Sequence, residues 1–501
     1  MTLGRTLPGR PVRLAELCLL ILALATGISS YAIVGMTLNS SLPANFWFET
    51  AALIALGLFF HVVLSIFAPW SDQVLLPTVI LLNATGLAMI MRIELAGVRA
   101  ANVVRSTWWS LLSALVAAAL IVLIRDHKLL RRFSYISMVV GLALLLLPLV
   151  PGLGVTINGS PRWISLFGFT MQPGEFGKIF LGIFFAGYLV TARDNLALAG
   201  PKVLGLQLPR ARDLGPIAVV WAVSIGLLVL QTDLGMSLMI FGMFVAMLYL
   251  ATQRVSWLVI GVTAFAGGAL LAVRTFSHVA SRIDGWLNAM DPAVFNRVGG
   301  SFQLVSGLFG LANGGLLGTG WGRGFPQIVP LSFSDFIFTS LGEELGLTGL
   351  LAIMVLFLII CERGLRTAVG VRDGFGKLLA GGLSFMMALQ LFTIIGGVTR
   401  MLPLTGTTVP FMAQGGTSML SSWMVIGLLL RISNDARRPS ASPGVAQVAR
   451  PPKAAHVVPG RDHSAPPSSV TPELGATAGP ATEFLTPLPA GASLQSTAVA
   501  R

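Results

Sequence analysis

Apolar residues recur along this chain in unbroken runs of about 20, the length of helix that crosses a hydrocarbon core of roughly 30 Å. About twelve such runs are present, at roughly 14–36, 46–68, 73–93, 107–124, 135–153, 174–192, 214–231, 234–252, 256–275, 335–361, 377–398 and 405–432. The alternating ten-residue pattern of a transmembrane barrel is absent. Helices are therefore the spanning elements, since only they and closed barrels satisfy every backbone N–H and C=O without water. The expected fold is all-α, a polytopic transmembrane helical bundle of about twelve spans. Two stretches break the pattern. Residues 276–334 form a Gly-rich loop of about 59 residues, a length that marks function or disorder. Residues 436–501 are rich in Pro, Ala and Ser and poor in aromatics, and read as a disordered cytoplasmic tail.

Composition sharpens this picture. Hydrophobic residues make up 54% of the chain and charged residues 11%, with a mean hydropathy of +0.82. A soluble domain carries about 25% charged residues, so an ordinary soluble enzyme is excluded. The net charge of +13 does not point to nucleic acid, because no basic stripe lies on a soluble domain. Most Lys and Arg sit in short loops: Arg125–Arg132, Arg193–Arg212, Arg254, Arg363–Lys377, and Arg431, Arg437 and Arg438 after the last run. With twelve spans and the N-terminus inside, all of these fall on the cytoplasmic side, and 276–334 falls outside. Arg92, Arg99 and Arg105 dissent. Either the third span is misplaced or those arginines have partners near the outer surface. The run after Arg5, Arg10 and Arg13 is too long for a signal-peptide core and lacks a clear cleavage site, so it is read as the first span. Cys18 and Cys361 lie within or at the ends of apolar runs and read as small buried residues rather than a disulfide.

No Walker A loop, dinucleotide fingerprint, HExxH or CxxC pair is present, and the five histidines are scattered. ATP-driven transport and zinc chemistry therefore have little support. Candidate chemistry lies in polar residues at membrane depth or at its edge, which are costly to place and point to function. The first cluster is Asn158-Gly159-Ser160-Pro161-Arg162-Trp163-Ile164, then Gln172-Pro173-Gly174-Glu175-Phe176-Gly177-Lys178. Glu175 and Lys178 share a helix face and can pair; an interfacial loop with an aromatic anchor fits the same letters. In Gln231-Thr232-Asp233-Leu234-Gly235, Asp233 serves a site or caps the next helix. The third cluster runs from Gly318-Thr319-Gly320-Trp321-Gly322-Arg323-Gly324 to Ser334-Asp335-Phe336-Ile337-Phe338 and Gly342-Glu343-Glu344-Leu345-Gly346. Asp335 opens a span, and Glu343 follows two turns, roughly 12 Å, deeper on nearly the same face. The two are candidates to face one cavity, with Asp335 as a general base; an N-cap has the same spelling. The fourth, Gly396-Gly397-Val398-Thr399-Arg400 through Thr405-Gly406-Thr407-Thr408-Val409-Pro410-Phe411 to Gly415-Gly416-Thr417-Ser418, suggests a broken or tightly packed helix.

In this order the four clusters resemble the SEDS (RodA/FtsW/SpoVE) family of peptidoglycan glycosyltransferases, over about residues 135–435. The family pattern has N-G-A-x-R-W-I, Q-P-S-E-x-x-K, Q-P-D-L-G, a D-F-I-F motif followed by G-E-E-L-G, and a closing Gly- and Pro-rich stretch. Gly174, Thr232, Leu331, Phe333 and Ala413-Gln414 depart from it, and Thr405 stands where some FtsW members have Lys; the last features tilt the subtype toward RodA. The resemblance implies a division into 1–134, N-terminal helices including two beyond the family's ten; 135–435, the catalytic core; and the 436–501 tail. It also implies a bacterial cytoplasmic membrane and polymerisation of lipid II on the outer face, with undecaprenyl diphosphate as leaving group. Asp335 matches the family's essential acidic residue. Arg162, Lys178 and Arg400 are candidates for the diphosphate. Trp163 is a candidate to stack on sugar or anchor the interface, Gln303 to contact sugar or order the loop, and Gln172, Glu175, Asp233 and Glu343 complete the substrate-binding set. No metal-ligand cluster is evident, although a divalent cation (Mg or Mn) can share the diphosphate. The expected partner is a class B penicillin-binding protein, and nucleic acid is not expected. The alternatives are a lipid II flippase, which should place its polar site at the midplane and show an inverted repeat, and a non-catalytic scaffold.

Overall fold

The computed structural model describes residues 12–439, apart from 158–159, 167, 198–201, 204–205, 208–214, 216–218, 220–221 and 227–232. Its helices, in chain order, are α1 (Leu14–Asn39), α2 (Phe46–Phe67), α3 (Leu75–Leu95), α4 (Val103–Leu123), α5 (Leu129–Arg132), α6 (Ser134–Leu146), α7 (Gly174–Ala197), α8 (Leu234–Thr252), α9 (Ser256–Thr275), α10 (Ser277–Leu287), α11 (Pro292–Phe295), α12 (Phe302–Gly314), α13 (Ile337–Gly370), α14 (Gly374–Val398) and α15 (Gly416–Arg437). Among the described residues ten are long and apolar enough to span a membrane, and Ser134–Leu149 is apolar but shorter. The expected run at 214–231 lies mostly outside the described residues, as do the tail from 440 and Asn158, Gly159, Gln231 and Thr232 of the motifs. Local signals set several helix starts: Asn102, Asp233 and Asp373 each accept a backbone N–H of the first turn, the bond that satisfies a helix's otherwise orphaned donors.

Three expectations change. The final span does not begin at 405: residues 402–415 are non-helical and α15 starts at Gly416. Pro403 and Pro410 lack the donors a helix interior needs, and Gly406 and Phe411 adopt positive φ. Hydropathy cannot separate such a buried apolar loop from a helix. The long helix α13 is broken at Gly346, with φ 68° and ψ −174°. The run at 135–153 ends early, at a 3₁₀ turn over Leu147–Leu149. An antiparallel meander follows it, β1 (Gly154–Ile157), β2 (Ser160–Leu166) and β3 (Phe169–Met171).

The core is built around α3, which is buried along nearly its whole length. Asn83 there donates to Ser110 Oγ of α4 at 3.0 Å and to the Phe411 carbonyl at 2.9 Å. One amide thus joins two helices to the 402–415 loop. Gly86, one turn on, lets that loop approach: a Cβ there would sit 2.4 Å from Met412 Cα and 2.5 Å from its carbonyl oxygen. The first two helices are fastened by buried charge. Glu16 of α1 pairs with Arg13 and meets His61 of α2 at 2.6 Å, and Thr107 of α4 donates to Glu49 of α2.

At the end of the bundle opposite Asp335, His127 is 1% exposed and lies between two carboxylates. Its Nε2 is 2.7 Å from Asp373 and its Nδ1 2.9 Å from Asp435. Burial disfavours the charged imidazole, but the two carboxylates outweigh it and raise the pKa to about 9. Because this exceeds the usual 6.5, the stabilisation is complete below about pH 6.5 and is lost as pH rises through about 9.

Gly86→Ala should lower stability by about 1–3 kcal/mol, read as a drop in the thermal midpoint of the purified protein; an unchanged midpoint would show that Met412 moves freely. Raising the pH from 7 to 10 should lower the midpoint of the wild type more than that of His127→Phe, which lacks this titration.

Candidate active site

Four segments converge at one end of the bundle. On β2 side chains alternate between faces. Arg162 shares the face of Ile164, which is 1% exposed, and so points inward; Trp163 lies on the other face, away from Arg162. Arg162 Nη1 donates to the Gly406 carbonyl at 3.2 Å and lies 3.6 Å from Asp233 Oδ1. Asp233 is 1% exposed, and of the two readings open to it the cap is seen. It caps α8 through the Met236 N–H at 3.1 Å, and its Oδ2 accepts from Gln172 Nε2 at 3.0 Å.

Asp335 sits beside this pair. It does not cap α13: the residue at that position is Phe336, which makes no side-chain cap bond. Instead Asp335 accepts from Ser334 Oγ at 2.9 Å and lines a small cavity together with Gln303, Thr393, Thr405, Gly406 and Thr407. Gly406, at φ 68°, lies between the two charges. A Cβ on it would be 3.5 Å from Arg162 Nη2 and 3.8 Å from Asp335 Oδ2. Burial pushes the Asp335 carboxyl above its ordinary pKa; Arg162, the Ser334 bond and Arg282 counter this in part, while Asp233 adds to it.

Sequence reasoning assigned no role to Arg282. It lies on α10, in the long loop, where the charges of Arg162, Asp233 and Asp335 act on its guanidinium. Its Nη1 is buried and has no partner among the described residues. The available signal was its place four residues after His278 in a short amphipathic stretch, too brief to stand out from other loop charges.

The other candidates separate into layers. Lys178 is 1% exposed, 2.7 Å from Glu175 and 3.4 Å from Gln390 Oε1. Ser421 of α15 donates to Glu175 at 2.7 Å, and Gln390 donates to the Thr408 carbonyl at 3.0 Å. This buried pair supports the 402–415 loop and does not line the cavity. Gln303 lines it and donates to the Pro330 carbonyl at 3.0 Å.

Glu343 does not share the cavity with Asp335, because Asp335 precedes the helix and two-turn spacing does not apply. It accepts from Asn313 at 2.9 Å, and its carbonyl accepts the Thr319 N–H at 3.0 Å. Its neighbour Glu344 accepts the N–H groups of Gly322 and Gly324 and pairs with Arg92 at 2.7 Å. Arg92, which dissented from the charge rule, thus has its partner. Arg400 lies apart from the cavity: its guanidinium donates to the carbonyls of Trp286 and Leu287 at 2.9 and 2.7 Å and holds the end of α10.

As for metals, both Asp233 oxygens are engaged, leaving Asp335 as the carboxylate that lines the cavity. The three-residue group Asp126, His127 and Asp435 lies at the opposite end, where hydrogen bonds to Asp373 and Asp435 occupy both His127 nitrogens.

Apolar helices with a cavity at one end that is lined by a carboxylate define a multi-pass membrane protein with a polar site. The family model described as cell cycle protein (FtsW/RodA/SpoVE) matches residues 64–438. Peptidoglycan glycosyltransferase RodA of Mycobacterium tuberculosis (strain H37Rv) is 43% identical over 434 residues, 85% of this chain and 92% of the relative. The protein of the same name in Mycobacterium leprae is 41% identical over 452 residues, 88% and 94% of the two chains. The "Probable peptidoglycan glycosyltransferase FtsW" of Trichlorobacter lovleyi is 32% identical over 372 residues, 72% and 93%. A solved structure described as "Structural coordination of polymerization and crosslinking by a peptidoglycan synthase complex" shares the fold, with a TM-score of 0.53 at 22% identity over 78% of this chain and 98% of that one. This chain belongs to the FtsW/RodA/SpoVE family, and its resemblance to the RodA members exceeds that to FtsW. The family match begins within α2, so α1 and most of α2 precede it.

Asp233→Asn should keep the cap, since Asn caps about as well as Asp, whereas Asp233→Ala should lose roughly 1 kcal/mol. Both remove the charge facing Arg162. The expected outcome is a near-wild-type melting midpoint for the Asn variant with activity reduced in both; full activity in either would remove the Arg162–Asp233 contact from the site's requirements.

Proposed function

We propose that this protein polymerises lipid II into glycan strands at the outer face of the bacterial cytoplasmic membrane, with Asp335 as general base. The chain is a peptidoglycan glycosyltransferase, as its mycobacterial RodA relatives are named at 41–43% identity. The observation that carries the mechanism is a carboxylate lining a cavity, with the Arg162 guanidinium on the other side of Gly406.

Asp335 takes the proton of the acceptor sugar hydroxyl as its oxygen attacks the donor's anomeric carbon. The bond from that carbon to the diphosphate oxygen breaks, and its electron pair leaves with the undecaprenyl diphosphate. A carboxyl whose pKa is raised by burial is a stronger base once ionised, which suits it to an otherwise weak nucleophile. The apolar wall formed by α8, α9 and α14 offers a path for the lipid. The basic loops at the end opposite Asp335, among them Arg125, Lys128, Arg131, Arg132, Arg363 and Arg366, support a cytoplasmic assignment for that end and for both termini. The likeness to a peptidoglycan synthase complex supports a class B penicillin-binding protein as partner.

Asp335→Ala should lower polymerisation of purified lipid II, assayed with the partner transpeptidase bound, by roughly 10²–10⁴-fold. Equal product from a folded, partner-bound variant would remove Asp335 from the chemistry. Absence of product from the wild-type complex would favour transport or a scaffold.

A further inference from the structure

Charge divides the long loop sharply. Arg282, Asp284, Asp291 and Arg297 fall in its first part, and then no Asp, Glu, Lys, Arg or His occurs in the 25 residues from Val298 to Gly322. Helix α12 lies in this uncharged stretch. Its glycines seat it against the start of α13: a Cβ on Gly307 would be 2.7 Å from the Phe336 ring, and one on Gly314 would collide with the Gly342 carbonyl. Phe302 and Phe309, two turns apart, share another side of the helix and are exposed, Phe309 by 67%. Leu316 and Leu317, 67% and 82% exposed, extend that surface. A contiguous group of large exposed apolar side chains marks contact with protein or membrane rather than water.

The backbone after α12 is satisfied by protein. The break at Gly346 parts the N–H groups of Leu347 and Thr348 from the carbonyls of Glu343 and Glu344, their partners in an unbroken helix. Both halves find replacements in this segment. Leu347 and Thr348 donate to the Gly315 and Leu316 carbonyls at 2.9 and 3.1 Å, while Thr319 and Gly320 donate to the Glu343 and Glu344 carbonyls at 3.0 and 2.9 Å. Non-helical backbone is tolerated at membrane depth on this condition, that protein meets its polar groups. The same bonds set Leu316 beside Leu347, the first of an exposed stripe of Leu347, Leu351, Val355 and Leu358 along the spanning part of α13. The apolar surface of α12 thus continues the lipid-facing side of a span. Its level agrees: Gly322 packs on Thr37 and Leu38 near the end of α1, and the exposed Trp47 and Trp108 mark an interface at that same side of the bundle. We propose that α12 and residues 315–317 lie in the hydrocarbon of the outer leaflet, as a re-entrant segment whose partner is the acyl chains of the bilayer. Gln303, next to Phe302, lines the cavity with Asp335, so one wall of the site is carried on an element anchored in lipid.

The choice of leaflet rests on the orientation proposed above; the embedding itself does not, and it is tested without turnover. The full-length protein, with Cys18→Ala and Cys361→Ala, receives one nitroxide-labelled cysteine at a time and is reconstituted in phospholipid vesicles. Phe309→Cys and Ala312→Cys probe the exposed side of α12, Leu351→Cys a lipid-facing site on α13, and Asn296→Cys the charged part of the loop. Collisions are measured with oxygen, which concentrates in hydrocarbon, and with a water-soluble nickel chelate. The oxygen-to-nickel ratio at residues 309 and 312 should match that at 351 and exceed that at 296 severalfold, with or without the transpeptidase of the polymerisation assay. Agreement of the two α12 probes, one of which removes no large side chain, excludes local disruption as the cause. A ratio equal to that at 296 would place α12 in water. Loss of collisions with both reagents would mean that a second copy or, if seen only on adding it, the transpeptidase covers this face. Either result overturns the embedding and leaves the glycosyltransferase reading intact, whereas an embedded α12 in a protein that makes no glycan upholds the first and rejects the second.

Discussion

An arginine removed from bulk water must be given partners, and Arg162 finds them in the Asp233 carboxylate and the Gly406 carbonyl. That requirement draws together the β-meander, the start of α8 and the 402–415 loop, which are far apart in sequence. Each contact also serves its own segment: Asp233 caps a helix and Gly406 takes the left-handed conformation that turns the loop. Asp335 is placed beside Arg162 by the same arrangement, so the site's negative and positive charges are positioned by one set of bonds.

Around this centre the supporting layers are also built from buried polar groups. Beneath the 402–415 loop, Glu175, Lys178, Gln390 and Ser421 link α7, α14 and α15. Beside it, Glu344 binds two glycine N–H groups and the Arg92 guanidinium, tying the loop before Asp335 to α3. A fully satisfied polar network rigidifies its surroundings, while a half-satisfied one is destabilising. Hydrogen bonds and ion pairs hold each of these supporting groups in place.

The motifs near Asp335, Asp233 and Arg162 were legible as letters, but their roles were not. The pair Glu175 and Lys178 was readable because three-residue spacing on a helix brings side chains together whatever else the chain does. The relation of Asp335 to Glu343 was misread because helical spacing was extended to a residue that precedes the helix. Arg400 carried the right sign at the right end, yet its direction depends on α10, which sequence patterning left inside an unassigned loop.

Hydropathy alone determined that this is a multi-pass helical membrane protein and located the ten long spans found among the described residues, because a helix in lipid satisfies its own backbone and needs only length and apolarity. Ordered motifs then marked which end carries the polar chemistry. Only the tertiary structure decided that the stretch at 402–415 is a loop, and that Lys178, Glu343 and Arg400 do not line the cavity beside Asp335. Those outcomes depend on which buried charge pairs with which, and pairing across the bundle is set by packing in space rather than by spacing along the chain.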